Sequence, residues 1–133
     1  PLAFEYGRPF AGGRKILGGV VPYDSLWRTG ANEPTLISLE KNIRIGNSMI
    51  PKGRYSLYSV PMKERWILIF SNDLESWPTN PDRTKEFAHI ELSVHKTLKK
   101  IDQFTIVITE NRTTGLLKLI WDDIEASIEF KNL

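Results

Sequence analysis

Trp27-Arg28-Thr29-Gly30-Ala31-Asn32-Glu33 gathers an indole, a guanidinium, a hydroxyl, an amide and a carboxylate around one glycine. Each polar side chain in that run needs a hydrogen-bond partner if it is covered, so burial alone does not call for the mixture. The run is either a satisfied polar knot or a binding site. Arg8 and Arg14 stand upstream, in a stretch from Gly7 to Trp27 that holds five glycines and two prolines. A fork of guanidinium groups suits a carboxylate, phosphate or sulfate, with Tyr23 and Trp27 as apolar walls. The same arginines could instead satisfy loop carbonyls, or pair with Glu5, Asp24 or Glu33 inside the fold. The candidate ligand-binding residues are therefore Tyr6, Arg8, Arg14, Tyr23, Trp27, Arg28, Asn32 and Glu33.

Their placement follows from strand geometry. Tyr6 and Arg8 are two apart at the end of a first strand and face one side, and Pro9 stops further ladder pairing. Arg28 precedes a strand beginning near Thr35, with Gly30 and Asn32 suited to the turn between them. If both strand ends lie at one end of the domain, Arg8 and Arg28 converge. The expectation is one cluster of Arg8, Arg28 and at least one of Glu5, Asn32 or Glu33, with Arg14 at its rim.

Other chemistries lack their context. Gly12-Gly13-Arg14 and Gly18-Gly19 are not followed by the Lys-Ser or Lys-Thr and helix of a phosphate loop, nor set in a strand-turn-helix unit. His89, Glu91 and His95 alternate along one strand, but at about 3.3 Å per residue the histidines stand roughly 20 Å apart, too far to share an ion. No Gly-x-Ser-x-Gly or other nucleophile context is present, and no Asp-rich calcium loop. No catalytic residue, metal ligand or cofactor is assigned.

The scaffold is legible from composition and alternation. The 133 residues make one domain, 1–133, with 41% hydrophobic and 26% charged residues and a formal charge of +2. So small an imbalance does not point to nucleic acid. The basic run His95 to Lys100 reads as a solvated loop between strands. With no cysteine, disulfides and thiolate metal sites are excluded. No window approaches the roughly 18 apolar residues of a membrane span.

Ala88, Ile90, Leu92 and Val94 alternate onto one face, as do Ile124, Ala126, Ile128 and Phe130. Further strands are expected at 2–6, 35–40, 43–45, 54–60, 66–70, 104–109 and 116–121, with a hairpin turn at Gly46-Asn47. No stretch shows a capped helical period. Gly7 to Trp27 and Ser71 to Glu86 are irregular, and such segments in a compact domain are usually functional or disordered. The fold expected is all-β, an antiparallel β-sandwich of roughly eight to ten strands with a long Gly/Pro-rich N-terminal loop segment.

Tyr6-Gly7-Arg8-Pro9, Gly13-Arg14, Gly18-Gly19-Val20-Val21-Pro22-Tyr23 and the Trp27 to Glu33 run together resemble the signature of the bacterial "domain of unknown function 2911" family. The likeness continues in order through Ile50 to Leu57, Trp66 to Asn72, Trp77 and the Trp121 strand. The family's Trp-Gly after the central strand is Trp77-Pro78 here, the following acidic-aromatic loop is shorter, and the strand before the Tyr-x-Arg-Pro motif is mostly missing. The resemblance implies a bacterial protein that is periplasmic or secreted. It brings no established activity.

Three functions stay open on these residues. One is a non-catalytic extracytoplasmic binding or accessory module for a small anionic or carbohydrate ligand, displayed on loops of a rigid scaffold. A second is a hydrolase or lyase with Glu5 or Glu33 as base and Arg28 stabilising negative charge. The third is a structural or interaction domain whose Arg-Asn-Glu signature is a buried polar network.

Overall fold

The computed structural model describes residues 2–19, 21–30, 35–75 and 81–133. Eight strands follow one another: β1 (Leu2–Glu5), β2 (Thr35–Leu39), β3 (Ile43–Ile45), β4 (Ser48–Ile50), β5 (Gly53–Pro61), β6 (Arg65–Ser71), β7 (Glu86–Glu110) and β8 (Thr114–Asn132). Among the described residues the only helical element is a 3-10 turn at Arg83–Lys85. Every strand pairing is antiparallel, and all eight join one sheet in the order β1-β2-β5-β6-β7-β8-β3-β4.

Alternation explains the buried face. Ile37 and Leu39 of β2, Leu57 of β5, Leu68 and Phe70 of β6, and Ala88, Ile90 and Leu92 of β7 all enter one core. Gly46 supplies the turn between β3 and β4 at φ +57°, a conformation that costs glycine little. β4, which was not among the expected strands, follows the Gly46-Asn47 turn and pairs with β3.

The all-β antiparallel class holds, and among the described residues the eight strands belong to one sheet where a sandwich of two was expected. β7 runs 25 residues and β8 runs 19, so each is long enough to belong to both layers of a folded sheet. Residues 93–96 of β7 pair with 127–124 of β8, and residues 105–110 pair with 120–115. Between these blocks the ribbon bends. Asp122 adopts φ +55°, and inward positions on β8 change from odd (Leu117, Leu119, Trp121) to even (Ala126, Phe130).

The far half of the ribbon then lies back over the sheet it came from. Asn132 N donates to Thr113 O at 2.8 Å, joining the hairpin tip to the far end of β8. Gly115 sits so close to Phe130 that an added Cβ would stand 2.2 Å from its Cζ. A single sheet thereby meets its own inner face, which is why one hydrophobic cluster spans all its strands. The expected strands 87–94 and 104–109 are thus two parts of β7, and 116–121 and 124–130 two parts of β8. The basic run His95 to Lys100 is not a loop between strands but an arc within β7.

Candidate functional site

Between β1 and β2 the described residues hold only isolated bridges, and their contacts show what several of the signature residues do. Thr29 is fully buried in the left-handed region at φ +59°, a strained position for a β-branched residue. Its Oγ1 lies 2.9 Å from Ser59 Oγ, and its carbonyl accepts from Thr35 Oγ1 at 2.6 Å. Trp27 exchanges both backbone hydrogen bonds with Ser59. Its ring stacks on Trp121 at 5.9 Å and 17°, and meets Trp66 and Phe104 edge-on. Trp27 therefore acts as a rivet between β6, β7 and β8.

Gly30 is packed against Gly7. A Cβ on Gly30 would stand 2.9 Å from Gly7 O and 2.9 Å from Thr35 Oγ1. The segments carrying Arg8 and Arg28 thus adjoin where Gly30 meets Gly7. Their side chains nevertheless take separate partners. Arg8 donates to Phe104 O and Thr105 Oγ1, both at 3.1 Å, fastening the N-terminal segment to β7. Tyr6 reinforces that seam: its hydroxyl accepts from Ile106 N at 3.1 Å and its ring meets Phe104 edge-on. Arg28 Nε donates to Gly30 O at 3.4 Å.

Tyr23 lies against Gly18, with Lys63 Nζ 5.8 Å above its ring. Among the described residues no hydrogen bond or ion pair joins Arg8, Arg14 and Arg28 to one another or to Glu5. Asn32 and Glu33 lie outside the described residues, as do Trp77 and Pro78.

Arg14 sits apart, at a cleft. Its Nε donates to Ala11 O at 2.9 Å and one terminal nitrogen to Phe10 O at 2.6 Å, so the exposed guanidinium is held in place by its own segment. The cleft, of about 430 Å³, is lined by Ala11, Gly13, Arg14, Lys15, Lys100, Asp102 and Asp122. Asp102 anchors its wall: the carbonyl accepts from Ala11 N at 2.7 Å and Trp121 Nε1 at 2.9 Å, and Oδ1 accepts from Gly12 N at 3.1 Å. Gly12 and Gly13 hold positive φ and have open space where a Cβ would be. Three cations and two carboxylates thus surround a cavity of small-molecule size at the bend of the long ribbon.

A larger groove of about 570 Å³ runs between β3, β7 and β8, past Arg44, Glu91, His95, Glu129 and Lys131. All five of those side chains are exposed, and none belongs to the signature. We place the candidate site at Arg14 because its guanidinium is already oriented.

Comparison with known proteins adds an identity. The family described as "Protein of unknown function (DUF2911)" matches residues 1–130. The chain belongs to that family. No curated protein and no solved structure matches it. Within this family member, Lys15, Lys100, Asp102 and Asp122 are the cleft residues that sequence reasoning passed over. Lys100 was visible only as part of a basic run, and nothing in the spacing of Asp102 and Asp122 ties them to Arg14.

A second polar group lies where β5, β6 and β7 meet the 72–85 connection. Asp73 is buried; its carboxylate accepts from Glu75 N and Asp82 N, and its backbone bonds Ser56 and Ser71. Glu86 accepts from Arg83 and lies 3.1 Å from His89 Nε2. Burial pushes the Tyr58 phenol above its ordinary range, with the Asp73 and Glu86 carboxylates adding to the shift. Two hydrogen bonds from Thr84 hold the Asp82 carboxyl below its usual range. These contacts fasten residues 73–75 and 82–84 to the sheet. Among the described residues no group of three or more His, Cys, Asp or Glu could hold a metal ion, and no helix is long and apolar enough to cross a membrane.

Proposed function

We propose that this domain is a non-catalytic binding module for a small ligand that carries an acidic group and hydroxyls, such as a sugar acid. The observation that carries the reading is Arg14, whose guanidinium is fixed by two backbone carbonyls at the mouth of a cleft it shares with Lys15 and Lys100. Fixing the donor before binding reduces the ordering cost that association otherwise imposes. The guanidinium and the two ammonium groups suit the acid, and Asp102 and Asp122 can accept from hydroxyls. The Trp27-Arg28-Thr29-Gly30 run serves this site indirectly: it locks the two layers together, and the ligand-facing chemistry comes from the neighbouring Gly-rich turn. A periplasmic or secreted location, implied by the family resemblance, belongs to the same reading.

A thermal-shift screen with neutral sugars, sugar acids, phosphate and sulfate tests it. A specific ligand at one hundred times its Kd stabilises by about 2.7 kcal/mol. Arg14→Ala and Lys100→Ala should abolish that gain and leave the ligand-free melting temperature near the wild-type value. A flat response across the panel refutes the reading. A response that survives both substitutions moves the site elsewhere.

A further inference from the structure

The arc in β7 carries a second surface. From Lys96, paired with Ile124, to Ile101, paired with Asp122, β7 advances five residues while β8 advances two. The surplus must leave the ladder, and 97–100 bulge outward. Thr97 Oγ1 donates to Lys99 O at 2.6 Å within the bulge. Leu98 is then completely exposed, at 107% of its reference area. Lys96, Lys99 and Lys100 stand within two residues of it and are exposed as well.

An isolated surface leucine needs no explanation. This one is set in a ring of lysines that continues through Lys100 into the cleft holding Arg14 and Lys15. Phe10, bridged to Gln103 at the foot of the arc, is a second large apolar side chain left in solvent. The nearby acids Asp102 and Asp122 lie on the cleft side of the arc with Lys100, and Asp102 Oδ1 accepts from Gly12 N.

We infer that the 96–100 arc docks the domain on an anionic phospholipid surface. Leu98 enters the headgroup layer while Lys96, Lys99 and Lys100 meet lipid phosphates. The chemistry favours lipid over a protein partner. Lysine is depleted in protein interfaces, whose anchors are aromatic or arginine side chains seated in pockets, and the arc has neither. A charged bilayer asks only for clustered cations and an apolar residue to insert.

Co-sedimentation with vesicles tests the inference, comparing phosphatidylcholine alone with phosphatidylcholine containing 30% phosphatidylglycerol. Wild type should bind the anionic vesicles and not the neutral ones, and should come off in high salt. Each lysine near the surface is worth about fivefold in binding, so Lys96→Glu with Lys99→Glu should weaken it at least about 25-fold. Leu98→Ser should weaken it several-fold with all charges kept, and soluble glycerophosphate should not compete.

All three substituted positions are exposed, and unchanged melting temperatures will show that the variants fold. None of the three lines the Arg14 cleft, so the soluble-ligand screen reads out independently. Absence of sedimentation overturns the inference, and so does equal binding to neutral vesicles. Full binding by Leu98→Ser shows mere charge adsorption and overturns it too, as does competition by glycerophosphate, which would mean a soluble phosphate site.

Discussion

Gly115→Ala should destabilise this protein, although the same change in an ordinary strand stabilises. Gly115 does not hold a positive φ, so an L-residue fits its backbone. Restricting the unfolded chain should then add about 0.4–1 kcal/mol. Against this, the new Cβ would lie 2.2, 2.6 and 2.8 Å from Cζ, Cε1 and Cε2 of Phe130. Carbon atoms prefer about 3.5–4.0 Å, so the ring would have to retreat by more than about 1 Å. Phe130 is 2% exposed and enclosed by both layers, which leaves it little room to move. Overpacking of this kind costs about 1–3 kcal/mol and outweighs the backbone gain.

Phe130→Leu removes all three contacting atoms. Alone it should cost about 1–2 kcal/mol, less than the 3–5 of truncation to alanine. In that background Gly115→Ala should change sign and stabilise by about 0.5 kcal/mol. Urea unfolding followed by tryptophan fluorescence gives the four free energies of the cycle. The two substitutions should couple by about 1–3 kcal/mol, far above the roughly 0.3–0.5 of independent sites. Additivity within that margin would mean that the two halves of β8 do not meet at Phe130, and the folded-over sheet would be wrong.

Thr29→Val keeps the shape but leaves the buried Ser59 hydroxyl without its partner, and should cost about 1–3 kcal/mol by denaturant midpoint. Thr29→Gly should lose less, because relief at φ +59° offsets part of that loss. Arg28→Ala should cost only about 0.5–1.5 kcal/mol, since among the described residues its hydrogen bond is to the Gly30 carbonyl; a loss of about 3–5 would reveal a buried ion pair instead. Tyr58 titrates above its ordinary value in the fold, so the unfolded chain loses its phenolic proton first and stability falls as pH rises past 10. Urea midpoints measured from pH 9 to 11 should decline less steeply in Tyr58→Phe than in wild type. Parallel slopes would contradict the burial described for that phenol.

The fold class was legible because a half-buried strand writes its own period. Ala88, Ile90 and Leu92, and separately Ala126 and Phe130, alternate where they line the core. The hairpin at Gly46-Asn47 was equally plain, since its turn depends on one residue tolerating positive φ. Trp27 and Arg14 stood out by type and context, yet their roles were not separable in sequence. An indole between aromatic strands and an indole beside a ligand leave the same letter.

Local pattern therefore determined that this chain is antiparallel β, which face of strands such as 88–94 is buried, and that the segment from Gly7 to Gly30 is special. Tertiary structure decided the rest. Whether 87–94 and 104–109 are two strands or one depends on pairing partners more than ten residues away, and alternation carries no record of a bend between them. The bend at Asp122 and the arc at 97–100 bring Lys100 and Asp122 beside Arg14, from 86 and 108 positions further along the chain. No spacing rule encodes such a meeting, because only the closure of the sheet over its own core sets the distance.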